Sequence, residues 1–281
     1  MNFTNQVVLI TGASAGIGRC LAIDFAKLGA AVVGCGRNKE RLDQAQNELR
    51  VTSPSSRMIH CDVGDRAQVQ GIVAEVLGAF GRIDILINNA GIGMRKPFAE
   101  TSVDTIEEIM RINYLGMVYC TRAVLPSMIA RGEGHIVNVS SIAGIIGTPH
   151  LSGYCASKFA MNGFSESLYY ELKPLGIHVS VICPGPVRTD FSRAFADSKP
   201  KAPAFLMLEP ETVSRLVIRA VARKKFEVVM PWSLALVSRL AHVAPNLFRA
   251  AALRVLRSRM IRRKIEENSP RRRGGRREKN S

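Results

Sequence analysis

Short apolar runs alternate with longer stretches in which apolar residues recur at helical spacing. The runs at 6–11, 30–35, 57–61, 84–87, 136–140, 177–183 and 226–230 predict seven strands. The stretches at 19–28, 39–50, 65–80, 103–130, 153–172 and 210–223 predict the helices between them. Strands alternating with helices along the chain imply a parallel sheet covered on both faces. Right-handed crossovers then restrict the topology to a single doubly wound, Rossmann-type α/β domain. Residues 191–210 break the pattern. They are irregular, carry Pro200, Pro203 and Pro210, and are expected to form a functional loop such as a lid.

Candidate chemistry gathers where the expected strands end. Gly12-Ala13-Ser14-Ala15-Gly16-Ile17-Gly18 follows the first strand and opens the first helix. Glycines there permit close backbone approach, and the helix N-terminus offers N–H groups and a positive dipole end to a pyrophosphate. The spacing departs from the commoner G-x-G-x-x-G, and its weight comes from its place in the chain. Gly36-Arg37-Asn38 follows the second strand. An acid there would bond the 2′-hydroxyl of NAD, whereas an arginine accommodates the 2′-phosphate of NADP, so Arg37 favours NADP over NAD. Asn88-Asn89-Ala90-Gly91 closes the fourth strand, and Asn113 sits inside an expected helix, where Asn is mildly unfavourable.

The fifth strand ends in Ser140 and Ser141, and the helix after it carries Tyr154 and Lys158 on one face. A free phenol, with a pKa near about 10, exchanges protons poorly at neutral pH. A nearby ammonium stabilises the phenolate and lowers that value. Either serine hydroxyl could polarise a carbonyl beside the phenol. Tyr and Lys at this spacing also occur by chance in helices, so the pair gains weight only from the other motifs.

Taken together, these motifs resemble the classical short-chain dehydrogenase/reductases over about residues 3–230. The match consists of TGxxxGxG (Thr11 to Gly18), NNAG (Asn88 to Gly91), Asn113, Ser141, YxxxK (Tyr154, Lys158) and a Pro184-Gly185 run followed by Thr189. The resemblance implies a seven-stranded sheet in the order 3-2-1-4-5-6-7 and hydride transfer between a nicotinamide and an alcohol or carbonyl. It implies that Tyr154 is the general acid/base, that Lys158 lowers its pKa and holds the nicotinamide ribose, and that Ser141 polarises the substrate oxygen. Asn113 would hold a water in a proton relay. Gly12, Ser14, Gly16, Ile17, Gly18, Asp62, Val63 and Asn89 would contact the cofactor, with Pro184, Gly185, Val187 and Thr189 near the nicotinamide. Some NADP-preferring members carry a basic residue just before the second Gly of the turn. Ala15 stands there, so the NADP preference rests on Arg37.

Composition adds two points. Six cysteines are scattered without metal-ligand spacing, which suits a reducing, cytoplasmic setting, argues against a disulfide framework and predicts no metal site. The chain starts without a secretory h-region. The net charge is +16, yet residues 254–281 hold 12 Lys and Arg against 3 Glu, a net +9 in the last tenth of the chain. Residues 231–255 are apolar but interrupted, too broken for a span, and lead directly into that basic run. The expected organisation is a catalytic domain at 1–230, an amphipathic segment at 231–255 and a polybasic tail at 256–281. Three readings of the segment compete: an ordinary lid with a solvated tail, a surface anchor on anionic lipid, or a contact for nucleic acid or an acidic protein. No aromatic is interleaved in the basic run, which disfavours nucleic acid. A homo-oligomer is left open.

The expected activity is an NADP(H)-dependent carbonyl reductase or alcohol dehydrogenase. Phe191, Phe195, Phe205, Leu206, Met207, Leu208 and Trp232 suggest an apolar, lipid-like small-molecule substrate. The alternatives are a 3-oxoacyl-carrier reductase, which the basic patches would suit, and a non-catalytic dinucleotide-binding scaffold.

Overall fold

Seven strands pair in parallel in the order β3-β2-β1-β4-β5-β6-β7, in a computed structural model that describes residues 1–191 and 206–267. They are β1 (Val7–Thr11), β2 (Ala31–Gly36), β3 (Arg57–His60), β4 (Ile85–Asn88), β5 (Gly134–Val139), β6 (Ile177–Pro184) and β7 (Glu227–Met230). Among the described residues the α-helices are α1 (Gly16–Lys27), α2 (Lys39–Thr52), α3 (Arg66–Phe80), α4 (Val103–Met110), α5 (Gly116–Arg131), α6 (Ser152–Leu172), α7 (Pro210–Ala222), α8 (Trp232–Val243) and α9 (Pro245–Glu267). The Phe195, Phe205, Pro200 and Pro203 positions of the expected lid, and the tail from 268 onward, lie outside the described residues.

Because successive strand side chains point to opposite faces, β1 feeds two cores. Val8 and Ile10 join Leu21 and Phe25 of α1 and Val213 and Val217 of α7. Val7 and Leu9 join Val69 and Val76 of α3, Val124 and Met128 of α5 and Leu168 of α6. A sheet buried on both faces explains why β1 and β4 at its centre run apolar through Ile10 and Ile87, with polar residues only at their C-terminal ends. Side-chain caps fix two helix starts: Asn38 accepts from the Arg41 N–H at 2.8 Å, and Asp65 from the Ala67 N–H at 2.9 Å.

One expected element divides. The helix read over 103–130 is α4, a π-turn at Arg111–Leu115, and α5. The wide turn holds Asn113, whose amide is fully buried and bonded across to another loop. π-turns of this kind recur at functional sites.

The chain forms two units, Met1–Leu234 and Ala235–Ser281. Along α8 and the start of α9, Trp232, Leu236, Leu240, Val243 and Leu247 are exposed at helical spacing. Among the described residues no helix is long and apolar enough to cross a membrane.

Candidate active site

The C-terminal ends of the strands open into a cleft of about 740 Å³. Strand order reverses between β1 and β4, and the loops leaving those two strands form its floor, where doubly wound sheets bind ligands. Gly12, Ser14, Gly16, Ile17, Arg37, Asp62, Val63, Asn89, Ser141, Tyr154, Lys158, Pro184, Gly185, Val187 and Thr189 all line it.

The Gly-rich turn is built to admit a diphosphate. Gly12 has φ +66°, and a Cβ on it would stand 2.9 Å from Ala90 Cα. Gly16 has φ +55°, and its Cβ would meet the Thr189 methyl at 3.0 Å. Helix α1 has Ala15 as its N-cap, with no side-chain cap bond and no acid in its first turn. Its first N–H groups therefore have no side-chain acceptor, which suits an anion. Asn89 ties the β4 loop to this turn, donating to the carbonyls of Thr11 at 3.0 Å and Gly12 at 3.2 Å. Gly18, expected among the cofactor contacts, does not line the cleft. A Cβ there would lie 2.2 Å from the Gly12 carbonyl, so Gly18 lets α1 pack on the turn.

At the end of the cleft expected to take the adenosine, Arg37 and Asp62 are held by a charged network. Arg111 donates to both carboxylate oxygens of Glu108, at 2.6 and 2.9 Å, and to Asp62 at 3.1 Å. Arg37 lies 3.8 Å from Glu108. The bonds from Arg111 hold the Glu108 carboxyl below its ordinary pKa.

At the other end, Tyr154 and Lys158 are both buried, yet both reach the cleft. Lys158 Nζ donates to the Val139 carbonyl at 2.8 Å and lies 5.7 Å from the Tyr154 ring centroid. Burial lowers the Lys158 amine to about 8. Burial also pushes the Tyr154 phenol above its ordinary value, and a hydrogen bond with the Ser141 hydroxyl offsets part of that rise. The expectation that Lys158 lowers the Tyr154 pKa is therefore corrected for this state. Desolvation dominates, and the ammonium is bonded to a backbone carbonyl.

The two serines separate clearly. Ser140 is buried, its hydroxyl directed at the Lys158 carbonyl at 3.4 Å. Ser141 is bonded to Tyr154 and accepts from the Ala143 N–H at 3.1 Å. Asn113 lies behind the cleft and does not line it. Its amide accepts from the Ile92 N–H at 2.8 Å and donates to the Ile92 carbonyl and the Ser157 hydroxyl, both at 2.9 Å. The side chain expected to hold a water is thus committed to fixing the β4 loop against α6.

The mouth beside Tyr154 is lined by Ile92, Ile142, Leu151, Phe191 and Met207, with the exposed Arg95 among them. The Phe191 ring lies 6.0 Å from that of Tyr154. Arg41, Arg95 and Asp190 line the cleft, and Arg111 braces it; none was marked in the sequence. Only the i, i+3 spacing of Glu108 and Arg111 could have hinted at that brace.

Comparison with known proteins agrees with this architecture. Residues 6–200 match the family model described as short chain dehydrogenase. A dehydrogenase/reductase SDR family member 7B from Rattus norvegicus is 38% identical, covering 94% of this chain and 84% of that protein. Epidermal retinol dehydrogenase 2 from Mus musculus is 38% identical, covering 82% of this chain and 75% of that protein. Among solved structures, a short chain dehydrogenase/reductase from Burkholderia phymatum in complex with NAD superposes with a TM-score of 0.79 at 29% identity, covering 88% of this chain and 96% of that one. An alcohol dehydrogenase from Thermococcus sibiricus complexed with 5-hydroxy-NADP gives 0.71 at 28% identity, covering 80% and 95%. With the sheet order, the glycine cradle and the Ser141, Tyr154 and Lys158 cluster in one cleft, these matches make the chain a member of the short-chain dehydrogenase/reductase family, an NAD(P)-dependent oxidoreductase.

Proposed function

We propose that the protein uses NADP(H) to interconvert a carbonyl and a secondary alcohol on an apolar, lipid-like substrate. The observation that carries this reading is one cleft with Arg37 at one end and the Ser141, Tyr154 and Lys158 cluster beside an apolar mouth at the other. The cofactor, when bound, supplies or accepts the hydride. Tyr154 holds the transferable proton on Oη, and Ser141 bonds the same substrate oxygen and orients it. Lys158 carries positive charge at neutral pH and binds ribose hydroxyls on the inner wall. Burial keeps Tyr154 a neutral phenol, which favours its role as proton donor in carbonyl reduction. Gly12, Ser14, Gly16, Ile17 and Asn89 cradle the diphosphate, while Asp62 and Val63 border the adenine. Pro184, Gly185, Val187 and Thr189 border the nicotinamide. Asn113 acts as a positioning residue for the β4 loop.

The apolar reading is supported by the five apolar mouth residues and by the name of the mouse relative, a retinol dehydrogenase. The exposed helix stripe from Trp232 to Leu247, followed by a net +9, supports a cytoplasmic enzyme held peripherally on anionic lipid. A second reading, reduction of a 3-oxoacyl thioester on an acidic carrier, is favoured by the exposed Arg95 at the mouth. Purified protein should be assayed with NADPH and with NADH against retinoid-like and steroid-like ketones and against 3-oxoacyl thioesters. Turnover of the apolar ketones with NADPH supports the first reading. Turnover confined to the thioesters selects the second, and no turnover of either class refutes both.

A further inference from the structure

The adenosine end of the cleft presents two guanidiniums. Arg37 follows β2, and Arg41 stands in the first turn of α2, whose N-cap Asn38 lies between them. A carboxylate from a distant part of the chain answers each one. Glu108, near the end of α4, lies 3.8 Å from Arg37. Asp190, in the segment that leaves β6, lies 3.3 Å from Arg41. Arg37, Arg41, Asn38 and Asp190 all line the cleft. Asp190 follows Thr189, whose methyl comes within 3.0 Å of the Cβ position on Gly16. The Arg41–Asp190 pair therefore bridges the cleft from the adenosine bank to the bank that closes on the Gly-rich turn.

We propose that Arg41 is a second 2′-phosphate-binding cation, and that Asp190 competes with that phosphate for it and so sets cofactor discrimination. The inference rests on the NADP(H) reading above and extends it from Arg37 to an ion pair. A 2′-phosphate carries nearly two negative charges and three acceptor oxygens, and it can take Arg41 from a single carboxylate. A neutral 2′-hydroxyl cannot, so the pair stays closed over NADH and opens for NADPH. Both side chains are about half exposed, at 46% and 51%, so the resting pair is weak enough to be displaced. Of the two cations, Arg41 is the more closely paired, at 3.3 Å against 3.8 Å for Arg37, so it is the one a phosphate must win from a carboxylate. Glu108, which faces Arg37, is already held by two bonds from Arg111.

The test is calorimetric titration of the full-length protein with NADPH and with NADH. It needs wild type, Arg41→Gln, Asp190→Asn and the double variant. Arg41→Gln should weaken NADPH binding about 10-fold and leave NADH within about 2-fold, the loss expected for charge-assisted bonds to a phosphate. Asp190→Asn should tighten NADPH about 2- to 5-fold and leave NADH unchanged, the range for an exposed ion pair. In the Arg41→Gln background, Asp190→Asn should no longer affect NADPH. The inference is overturned if Asp190→Asn shifts both cofactors alike, or if its gain survives without Arg41, because Asp190 would then act only through bulk charge. It is also overturned if Arg41→Gln weakens both cofactors equally. The NADP(H) reading is tested separately by the wild-type pair of titrations: equal affinities there would remove that reading and this one together.

Discussion

Replacing Lys158 by Met should make the protein more stable at neutral pH. Lys158 is buried, and burial depresses its amine from the ordinary 10.5 to about 8. At pH 7 the folded state therefore holds an ammonium in a poorly solvated site. The depression corresponds to roughly 3 kcal/mol of destabilisation. The substitution also removes the 2.8 Å bond to the Val139 carbonyl, and losing that acceptor's partner costs about 1 kcal/mol. Met has similar length and adapts to irregular surroundings, so cavity formation adds little. The net expectation is a gain of roughly 2 kcal/mol, about 4 °C in Tm for a chain of this size.

The sign of the pH dependence makes the test specific. Between about pH 8 and 10.5 the unfolded chain binds the Lys158 proton and the folded chain does not, so wild-type stability rises with pH over that window. The penalty is fully present below about pH 8 and nearly gone above 10.5. Thermal unfolding of wild type and Lys158→Met, followed by circular dichroism at pH 7 and pH 10, should show the Met variant ahead at pH 7. That advantage should be close to zero at pH 10. A Met variant less stable than wild type at pH 7, or equally ahead at both values, would refute the burial argument. The same variant should bind cofactor and turn over poorly, so stability and function move in opposite directions at one residue.

Tyr154→Phe should lower turnover by about 10²-fold or more while leaving the cofactor Kd nearly unchanged, since only the transferable proton is lost. Single-turnover kinetics beside a binding titration checks both halves. Arg37→Asp should move cofactor preference from NADPH toward NADH, read as the ratio of kcat/KM values; a ratio unchanged from wild type would exclude Arg37 as the discriminating group. The full chain should co-sediment with anionic vesicles at low salt and less at high salt or with neutral vesicles, whereas a chain ending at Leu234 should stay in the supernatant. Indifference of the full chain to anionic vesicles would remove the surface reading. Asn113→Ala should lower both Tm and kcat, because it strands the Ile92 N–H and carbonyl and removes the bond to the Ser157 hydroxyl. Lost turnover at a wild-type Tm would instead mean that Asn113 acts chemically.

The sheet was legible because its rules are local. Most strands are short apolar runs followed by Gly, Asn, Ser or Pro, and a sheet buried on both faces leaves little else for such runs to do; the edge strand β3, Arg57–His60, is the exception. Ser141, Tyr154 and Lys158 were legible as a group because they sit on neighbouring elements, a strand end and the helix after it. The charged brace was not. Asp62, Glu108 and Arg111 come from three segments, and nothing in their local sequence says that they meet. Arg41 and Asp190 are separated by most of the domain and meet only because the ends of β2 and β6 face the same cleft. The π-turn was hidden for a related reason. Asn113 reads as a poor helix residue, but its partners Ile92 and Ser157 are set by tertiary contact.

Tyr154 and Lys158 show how the same burial acts on opposite charges. It raises the phenol and lowers the amine, so each is pressed toward its neutral form. The amine stays protonated at pH 7, since its value of about 8 is still above that pH, and the phenol keeps its proton as well. The resting site therefore holds two transferable protons and no base. Donation to a developing alkoxide on a carbonyl substrate uses the phenol in the state it already occupies. Oxidation of an alcohol must first remove the phenol proton, against the desolvation that raised its pKa. The Ser141 hydroxyl pulls the value back, and so would any movement of Lys158 from the Val139 carbonyl toward the phenol. The balance between the two directions then depends on where the Lys158 ammonium rests. A reductive rate that holds below pH 8 and an oxidative rate that climbs with pH are the paired signatures of that arrangement.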